Sequence, residues 1–352
     1  MRIVQVLMPL GMGGVEKVAV YIHSFLKEKG YDSFVLVGQS QIELFKKHFS
    51  LEDDGNIVPF EDKSFFKIIS SLGKLLKLVD PDIVHTHARR EMIFSLLINK
   101  KAAIARTQHM AENPKKRVTL IERVLVKKRI DVWVATSEQL KNNYLLRLGY
   151  IVPERISVIY NGVDEEKKKN KEINLKFCIA ARLTKQKGID ILLEQINSFS
   201  EDLRSRIKLD IYGEGEELEN IITYIEKNQM RGIRYCGKTS SPAKILSNYY
   251  ALLMPSRNEG LPLTMLESMS TMTPVATHDV GCVREFIDNK VNGWIIDENY
   301  SWEQFFREAL DGDCNYSSIK EKCYETFKTR FSSDTMCNAY LELYKKVVDS
   351  HK

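Results

Sequence analysis

A short apolar segment at residues 250–254, Tyr-Ala-Leu-Leu-Met, sets the fold class. It carries no charge and is closed by Pro255, which is typical of a strand buried in a parallel sheet. Gly260 then gives the backbone freedom, and Pro262 suits a helix start because the first turn needs no N–H from it. This succession of strand, loop and helix predicts an α/β fold. The N-terminus of such a helix attracts an anion through its unpaired N–H groups and its dipole, and a phosphate is the most natural one.

Two glutamates bracket the predicted helix start. Glu259 lies in the loop, and Glu267 lies about one and a half turns inside the helix. A diphosphate repels carboxylates, so we expect the two glutamates to bind hydroxyl groups instead. A sugar nucleotide carries hydroxyl groups on both sides of its diphosphate. Because 28% of the residues are charged, two glutamates at this spacing carry little weight alone, and the surrounding strand, loop and helix carry most of it.

In that setting the two residues resemble the Glu-x7-Glu signature of glycosyltransferase family 4, whose members are retaining enzymes with the two-domain GT-B fold. The resemblance implies that Glu259 binds hydroxyls of the donor sugar and acts in catalysis, and that Glu267 binds the ribose. It also implies that the intervening segment binds the donor, through Gly260, Leu261, Pro262, Leu263 and Thr264.

Two basic residues follow another predicted strand, at residues 177–180. Arg182 and Lys187 lie at its carboxyl end, where open α/β sheets bind ligands. A guanidinium forms paired hydrogen bonds and an ammonium acts as a point charge, so the two are expected to hold a diphosphate. Family 4 enzymes carry a similar pair, which implies a catalytic role in stabilising the departing nucleoside diphosphate. Two bases on a surface loop are the alternative interpretation.

A glycine-rich loop at residues 11–14 separates a predicted strand at 3–8 from a predicted helix at 15–29. It lacks the dinucleotide-binding pattern, because Glu16 stands where that pattern requires glycine. The loop is similar to the family's Gly-Gly-x-Glu-(Arg/Lys) element, which implies an acceptor-side role for Gly13 and Glu16 and a donor contact for Gly14. The alternative is that the glycines only permit close packing of the helix on the strand.

Three histidines lie near the ends of predicted strands in the first half. His85 and His87 alternate along one strand, and we expect them to point to opposite faces, which excludes a shared metal ion. His109 follows a strand at 103–107, again at a carboxyl end. Family 4 enzymes commonly carry a histidine there that touches the donor sugar, so the resemblance makes His109 a catalytic candidate. A histidine satisfied within the core or a loop is the alternative.

Residues 115–129 form a strongly basic segment, with seven Lys or Arg side chains against the single acid Glu122. Apolar residues recur between them at helical spacing, which is typical of an amphipathic helix resting on anionic lipid headgroups. A solvated face of an ordinary helix is an alternative of similar weight. Nucleic acid is not an expected partner, because the segment has no aromatic residue for stacking.

The length and the cysteines set the broad class. A chain of 352 residues exceeds what one hydrophobic core usually organises, so two domains are expected. The six cysteines are scattered without metal-ligand spacing, which favours reduced thiols. No apolar run reaches the roughly 18 residues of a membrane span. We therefore expect a cytoplasmic protein that at most rests on the inner face of the cytoplasmic membrane.

Further elements resemble the family pattern in the expected order. Residues 159–164 match the interdomain Asn-Gly-Val-Asp element, and Gly213 and Lys238 lie in segments similar to those that face the nucleotide. Residues 281–287 resemble Gly-Gly-x-Pro-Glu, with Cys282 and Arg284 as departures that put the backbone path there in doubt.

The resemblance implies the GT-B fold: two Rossmann-like α/β domains that face each other across a cleft, with a C-terminal helix returning to the first domain. The expected divisions are an acceptor-side domain at 1–164, a charged linker at 165–174, a nucleotide-sugar-binding domain at 175–330 and the returning helix at 331–352.

The activity implied is that of a retaining hexosyl- or N-acetylhexosaminyltransferase without a metal or cofactor. Its donor is a nucleotide-diphosphate sugar, with UDP favoured. Its acceptor is a hydroxyl of a glycan or lipid-linked glycan in cell-surface polysaccharide or lipopolysaccharide synthesis. A sugar-nucleotide epimerase or hydrolase of the same fold is one alternative, and a non-catalytic sugar-nucleotide-binding protein is another.

Overall fold

The computed structural model describes residues 1–8, 13–99, 101–110, 120–166, 175–239, 241–312 and 315–351. The chain forms two compact units, Met1–Gly162 together with Ser333–Lys352, and Val163–Ser332. The chain enters and leaves the second unit side by side, since Val163 N donates to Phe331 O at 3.0 Å. From residue 167 onward, the predicted linker lies outside the described residues.

The first unit is a parallel sheet with helices between its strands. Its strands are β1 (Arg2–Leu7), β2 (Asp32–Gly38), β3 (Ile57–Phe60), β4 (Ile83–Thr86), β5 (Ala103–Gln108), β6 (Val132–Ala135) and β7 (Ile156–Val158). Its helices are α1 (Gly14–Glu28), α2 (Ile42–Phe49), α3 (Phe65–Val79), α4 (Arg89–Ile98), α5 (Leu120–Arg129), α6 (Glu138–Leu140) and, from the end of the chain, α14 (Ser333–His351). The strand order is β3-β2-β1-β4-β5-β6-β7, so it reverses between β1 and β4.

The second unit repeats this plan. Its strands are β8 (Phe177–Ala180), β9 (Leu209–Tyr212), β10 (Ile233–Tyr235), β11 (Ala251–Met254), β12 (Val275–His278) and β13 (Trp294–Ile296). Its helices are α7 (Ile189–Ser198), α8 (Glu201–Arg206), α9 (Leu218–Lys227), α10 (Pro242–Leu246), α11 (Leu263–Ser270), α12 (Trp302–Asp311) and α13 (Tyr316–Arg330). The order β10-β9-β8-β11-β12-β13 reverses between β8 and β11. In open parallel sheets, this reversal is where ligands bind.

Aromatic packing fills the core of the second unit on one side of its sheet. The Phe177 ring lies 5.6 Å from the Phe305 ring and 5.0 Å from the Phe306 ring, measured between centroids. Helix α12 presents both rings to the sheet because its apolar residues recur at helical spacing. Its start is capped reciprocally, since Ser301 Oγ accepts from Gln304 N and Gln304 Oε1 accepts from Ser301 N.

The last helix packs within the first unit, which confirms the predicted return of the C-terminal helix. Tyr340 and Tyr344 on α14 are fully buried. The Tyr344 hydroxyl lies 2.7 Å from His85 Nδ1, and the Tyr340 hydroxyl lies 2.9 Å from Thr107 Oγ1. These hydrogen bonds satisfy the two hydroxyl groups, which would otherwise be buried without partners and lower the stability of the fold.

Most predicted elements are present, but residues 38–62 are more regular than expected. The structure contains α2 and β3 there, and neither is among the predicted elements. Both elements are short, and α2 buries only Ile42 and Phe45, so their periodicity is too brief to stand out.

Phe177→Ala is expected to destabilise the second unit by about 3–5 kcal/mol, because it leaves a cavity in a fully buried aromatic cluster. Scanning calorimetry should show a lower transition for the second unit and an unchanged one for the first. Phe66→Ala is the control, since that ring is 82% exposed. A similar loss from both variants would contradict the placement of Phe177.

Candidate functional site

A pocket lies at the strand-order reversal of the second unit. It is formed by the residues that end or follow β8 and β11, together with the start of α11. The lining side chains and backbone that matter for its chemistry belong to Ala180, Ala181, Lys187, Pro255, Ser256, Glu259, Pro262 and Thr264. Four predicted site residues therefore line one pocket, although they come from two distant segments of the chain. They are Lys187, Glu259, Pro262 and Thr264.

An ion pair between two of these residues lies in the pocket wall. Lys187 Nζ is 2.6 Å from Glu259 Oε1, and the two side chains are 17% and 7% exposed. Ser256 Oγ donates to the same carboxylate oxygen at 2.6 Å. A carboxylate this buried needs such partners, because burial without them carries a large desolvation penalty. The sequence predicted both charged residues in the site but not their contact.

The loops that carry this ion pair are joined by two hydrogen bonds to backbone carbonyls. Arg257 N donates to Gln186 O at 2.8 Å, and the Gln186 side chain donates to Asn258 O at 2.8 Å. Gly188 allows the approach, because a Cβ at that position would lie 2.0 Å from Pro255 O. Its φ of +65° is also one that residues with side chains rarely adopt. The separation of Lys187 from Glu259 is thus set by backbone contacts.

Helix α11 begins at Leu263, with Pro262 as its N-cap residue in an extended conformation. This agrees with the predicted helix start near Pro262. The first N–H groups of a helix have no partner within it, so those of this helix begin at Leu263 beside the pocket. Glu267 is buried within the same helix at 6% exposure. The arrangement offers hydrogen-bond donors and a favourable dipole to an anion, next to one lysine.

The structure corrects the prediction for His85 and His87 in the first unit. Their ring centroids are 4.1 Å apart, so the rings do not point to opposite faces. Residues two apart on a strand share a face, and the expected alternation was therefore wrong. In the described part of the chain, no group of three or more His, Cys, Asp or Glu side chains is arranged to hold a metal ion.

His109 follows β5 and contacts His87, which follows β4 beside the strand-order reversal of the first unit. Its Nε2 is 3.2 Å from His87 Nδ1. Burial, with the nearby Arg106 charge adding to it, lowers the pKa of His109 to about 3. Burial is also the main cause that lowers the pKa of His87 well below its usual value. Both rings are therefore neutral near pH 7 and act as hydrogen-bonding groups.

Two family models match the chain. The model described as Glycosyltransferase Family 4 matches residues 12–167, and the model described as Glycosyl transferases group 1 matches residues 162–311. Together they cover most of both units. The chain belongs to glycosyltransferase family 4.

Relatives and solved structures agree with this assignment. A 41.2 kDa protein in the cps region of Klebsiella pneumoniae is 27% identical, over 93% of this chain and 96% of the relative. The Escherichia coli UDP-Gal:alpha-D-GlcNAc-diphosphoundecaprenol alpha-1,3-galactosyltransferase is 29% identical over 66% of this chain and 67% of the relative. The crystal structure of Anabaena HepE in complex with UDP-glucose superposes with a TM-score of 0.81 at 16% identity, covering 98% and 100% of the two chains. This likeness shows that the glycosyltransferase has the predicted GT-B fold.

The remaining predicted donor residues of the glycosyltransferase lie near the pocket or on the surface. Gly213 N donates to Gly237 O at 3.0 Å, and a Cβ on Gly213 would lie 1.8 Å from the O atom of the pocket residue Ala181. The Lys238 ammonium is 2.8 Å from a Glu214 carboxylate, and both side chains are largely exposed. Arg182 is exposed as well. The diphosphate role predicted for Arg182 stays a prediction.

The acceptor-side loop shows a structural role for its glutamate. Glu16 Oε2 accepts from Gly13 N at 3.0 Å, so this carboxylate closes the first turn of α1. Gly14 is the first residue of that helix. The acceptor role of Gly13 and Glu16 and the donor contact of Gly14 stay predictions.

The basic segment is only partly described, because Lys115, Lys116 and Arg117 lie outside the described residues. In the described part, Arg89 pairs with Glu122 at 2.7 Å, and Arg129 donates to Leu96 O at 2.7 Å. These side chains are therefore engaged in packing within the unit. Across the described ranges, no helix has the length and apolar composition to cross a membrane.

Two residues that support the site were not predicted from the sequence. Ser256 holds Glu259, as described above, and Glu91 positions the segment that carries His87. Its Oε2 accepts from the backbone N–H groups of His87 and Ala88 at 2.8 Å and 2.7 Å. Its Oε1 accepts from Met8 N at 2.7 Å. A glutamate in the first turn after a predicted strand was the available signal for Glu91, since that position favours capping.

Gly188→Ala is expected to destabilise the second unit more than Gly312→Ala. Both glycines have positive φ, +65° and +77°, so alanine costs about 1–2 kcal/mol at either position. Only at residue 188 would the new Cβ meet backbone, whereas nothing lies within 4 Å of it at residue 312. Overpacking should add about 1–3 kcal/mol at residue 188. Urea denaturation measures the difference, and equal losses would contradict the close approach of the two loops.

Proposed function

We propose that the glycosyltransferase moves a sugar from a UDP-sugar to a hydroxyl of a glycan or lipid-linked glycan, with retained anomeric configuration and without a metal ion. The product would serve cell-surface polysaccharide or lipopolysaccharide synthesis. The observation that carries the proposal is the buried contact of Lys187, Glu259 and Ser256 beside the N-terminus of α11, at the strand-order reversal of the second unit.

The chemistry of the leaving group supports this assignment. When the bond between sugar and diphosphate breaks, negative charge grows on the departing nucleoside diphosphate. The Lys187 ammonium and the first N–H groups of α11 lie on one pocket, where they can stabilise that charge without a metal ion. Arg182, which follows the same strand as Lys187, is proposed as the second cation on the diphosphate.

Glu259 is proposed to bind the hydroxyls of the transferred sugar. Its carboxylate lies beside Lys187, so a sugar whose diphosphate contacts the lysine brings hydroxyl groups within reach of the glutamate. The ion pair also compensates the charge of Glu259, which weakens it as a nucleophile. Departure and attack on the same face of the sugar, which the family resemblance implies, therefore fit this side chain better than a covalent intermediate. Glu267 is proposed to bind the ribose, and His109 a hydroxyl of the sugar.

The comparisons support the choice of donor and acceptor. The Escherichia coli relative is named for UDP-Gal as donor and for a diphosphoundecaprenol-linked sugar as acceptor. The Anabaena structure of the same fold contains UDP-glucose. We extend both features to this chain, with a hexosyl or N-acetylhexosaminyl group as the sugar. A lipid-linked acceptor places the reaction at the inner face of the cytoplasmic membrane, where residues 115–129 would contact anionic lipid.

Nucleotide binding gives the first test. Thermal stability is measured with saturating UDP, GDP or ADP, in buffer with and without EDTA. A ligand at a hundred times its Kd stabilises a protein by roughly 2.7 kcal/mol, so UDP alone should raise Tm. A rise with GDP or ADP in place of UDP would overturn the assignment of uracil as the donor base. A rise that disappears in EDTA would overturn metal-independent binding.

Glu259→Gln is expected to lower kcat by roughly 10²–10³-fold, because the amide cannot compensate charge that develops on the sugar. UDP affinity should stay equal or increase, since the substitution frees Lys187 for phosphate. Transfer from a panel of UDP-sugars and calorimetric titration with UDP measure the two effects. The exposed Glu303→Gln is the matched control and should behave as wild type. An unchanged kcat would refute the role of Glu259.

A further inference from the structure

A row of buried polar side chains leads to His109 through the core of the first unit. Gln5 on β1 is fully buried, and His87, just beyond β4, is 3% exposed. Strands β1 and β4 are neighbours in the sheet, and their pairing sets Gln5 opposite His85. The row therefore crosses the strand-order reversal of this unit and ends at its carboxyl edge.

The orientation of the Gln5 amide is determined by its surroundings. Gln5 Nε2 donates to Ala19 O at 2.8 Å. A carbonyl can only accept, so the amide nitrogen must face Ala19 and the amide oxygen must face the other way. That oxygen lies 3.0 Å from His87 Nε2. His87 Nε2 must therefore carry a proton.

The proton on His87 Nε2 determines the next contact. His87 is neutral because of its burial, so its Nδ1 carries a lone pair and accepts. The nitrogen 3.2 Å away, His109 Nε2, must then donate. A neutral His109 with its proton on Nε2 has a lone pair on Nδ1.

We propose that Gln5 and His87 are positioning residues that hold His109 in the Nε2–H tautomer, so that its Nδ1 accepts a hydrogen bond from a sugar hydroxyl. The proposal rests on the proposed function for the identity of the ligand. It also specifies which ligand group is recognised. A lone pair repels a phosphate oxygen and attracts a hydroxyl, so His109 selects the sugar part of the donor over its diphosphate.

The tautomer can be measured without substrate. Two-bond ¹H–¹⁵N correlation spectra of the full chain labelled with ¹⁵N-histidine distinguish protonated from unprotonated ring nitrogens. We expect the Nε2–H form for both His87 and His109, with resonances assigned by single substitutions. A His109 that carries its proton on Nδ1 would overturn the proposal.

Gln5→Met tests the origin of the tautomer, because methionine has a similar size but its thioether is only a weak acceptor for His87 Nε2–H. We expect a mixture of His109 tautomers and a fall of roughly tenfold or less in kcat/KM for the UDP-sugar, the effect of one hydrogen bond. The affinity for UDP should not change. An unchanged tautomer would contradict the positioning role.

Thr107→Val is the matched control. Thr107 Oγ1 is also buried and bonds His85 Nε2 and the Tyr340 hydroxyl at 2.8 Å and 2.9 Å. This variant should lose comparable stability while keeping the His109 tautomer. If Gln5→Met shifts the tautomer but lowers kcat/KM no more than Thr107→Val, the hydroxyl contact is overturned. The spectra do not depend on transfer, so this failure is distinguishable from failure of the proposed function.

Discussion

The parallel pairing of β8 with β11 determines where the chemistry of the second unit lies. These strands are distant in sequence, yet their carboxyl ends deliver the two loops that carry Lys187 and Glu259. The loops then approach so closely that only glycine fits at position 188. The resulting ion pair is nearly buried, and its partners are positioned by backbone contacts. The proposed transfer depends on this geometry, since neither side chain could hold the other from a flexible surface loop.

Much of this architecture is predictable from the sequence. The strands at 177–180 and 251–254 are continuous apolar runs, and the start of α11 beside Pro262 agrees with the sequence prediction. Ser137 is a residue type that favours the N-cap position, and its hydroxyl accepts from Leu140 N at 3.0 Å. In each case the signal lies within a few neighbouring residues, where periodicity and capping act.

The other features of the site could not be predicted, because they depend on contacts between residues that are distant in the sequence. Lys187 and Glu259 are 72 positions apart, and no local pattern indicates that their side chains touch. The orientation of Gln5 likewise depends on Ala19 and His87, which belong to different elements. The prediction for His85 and His87 was wrong for a different reason. Side chains of successive strand residues alternate between the two faces, so residues two apart lie on the same face. Their shared face is what allows a buried row of hydrogen-bonding groups to form.

The polar groups of the two candidate sites are stabilised differently. In the second unit, a cation and an anion compensate each other beside the pocket. In the first unit, burial keeps His85, His87 and His109 neutral, and Tyr344 of α14 and the Gln5 amide bond the rings of His85 and His87. This difference matches the proposed ligands, because a diphosphate requires positive charge, whereas a sugar hydroxyl can donate either to the Glu259 carboxylate or to a neutral histidine ring.

A crystal structure of the chain with bound UDP would show directly whether Lys187 and the N-terminus of α11 hold the diphosphate. We expect the diphosphate at the N-terminus of α11, with Lys187 Nζ in hydrogen-bonding contact with a phosphate oxygen while Glu259 keeps its contact with Ser256. A nucleotide bound elsewhere, with the contact between Lys187 and Glu259 unchanged, would contradict it.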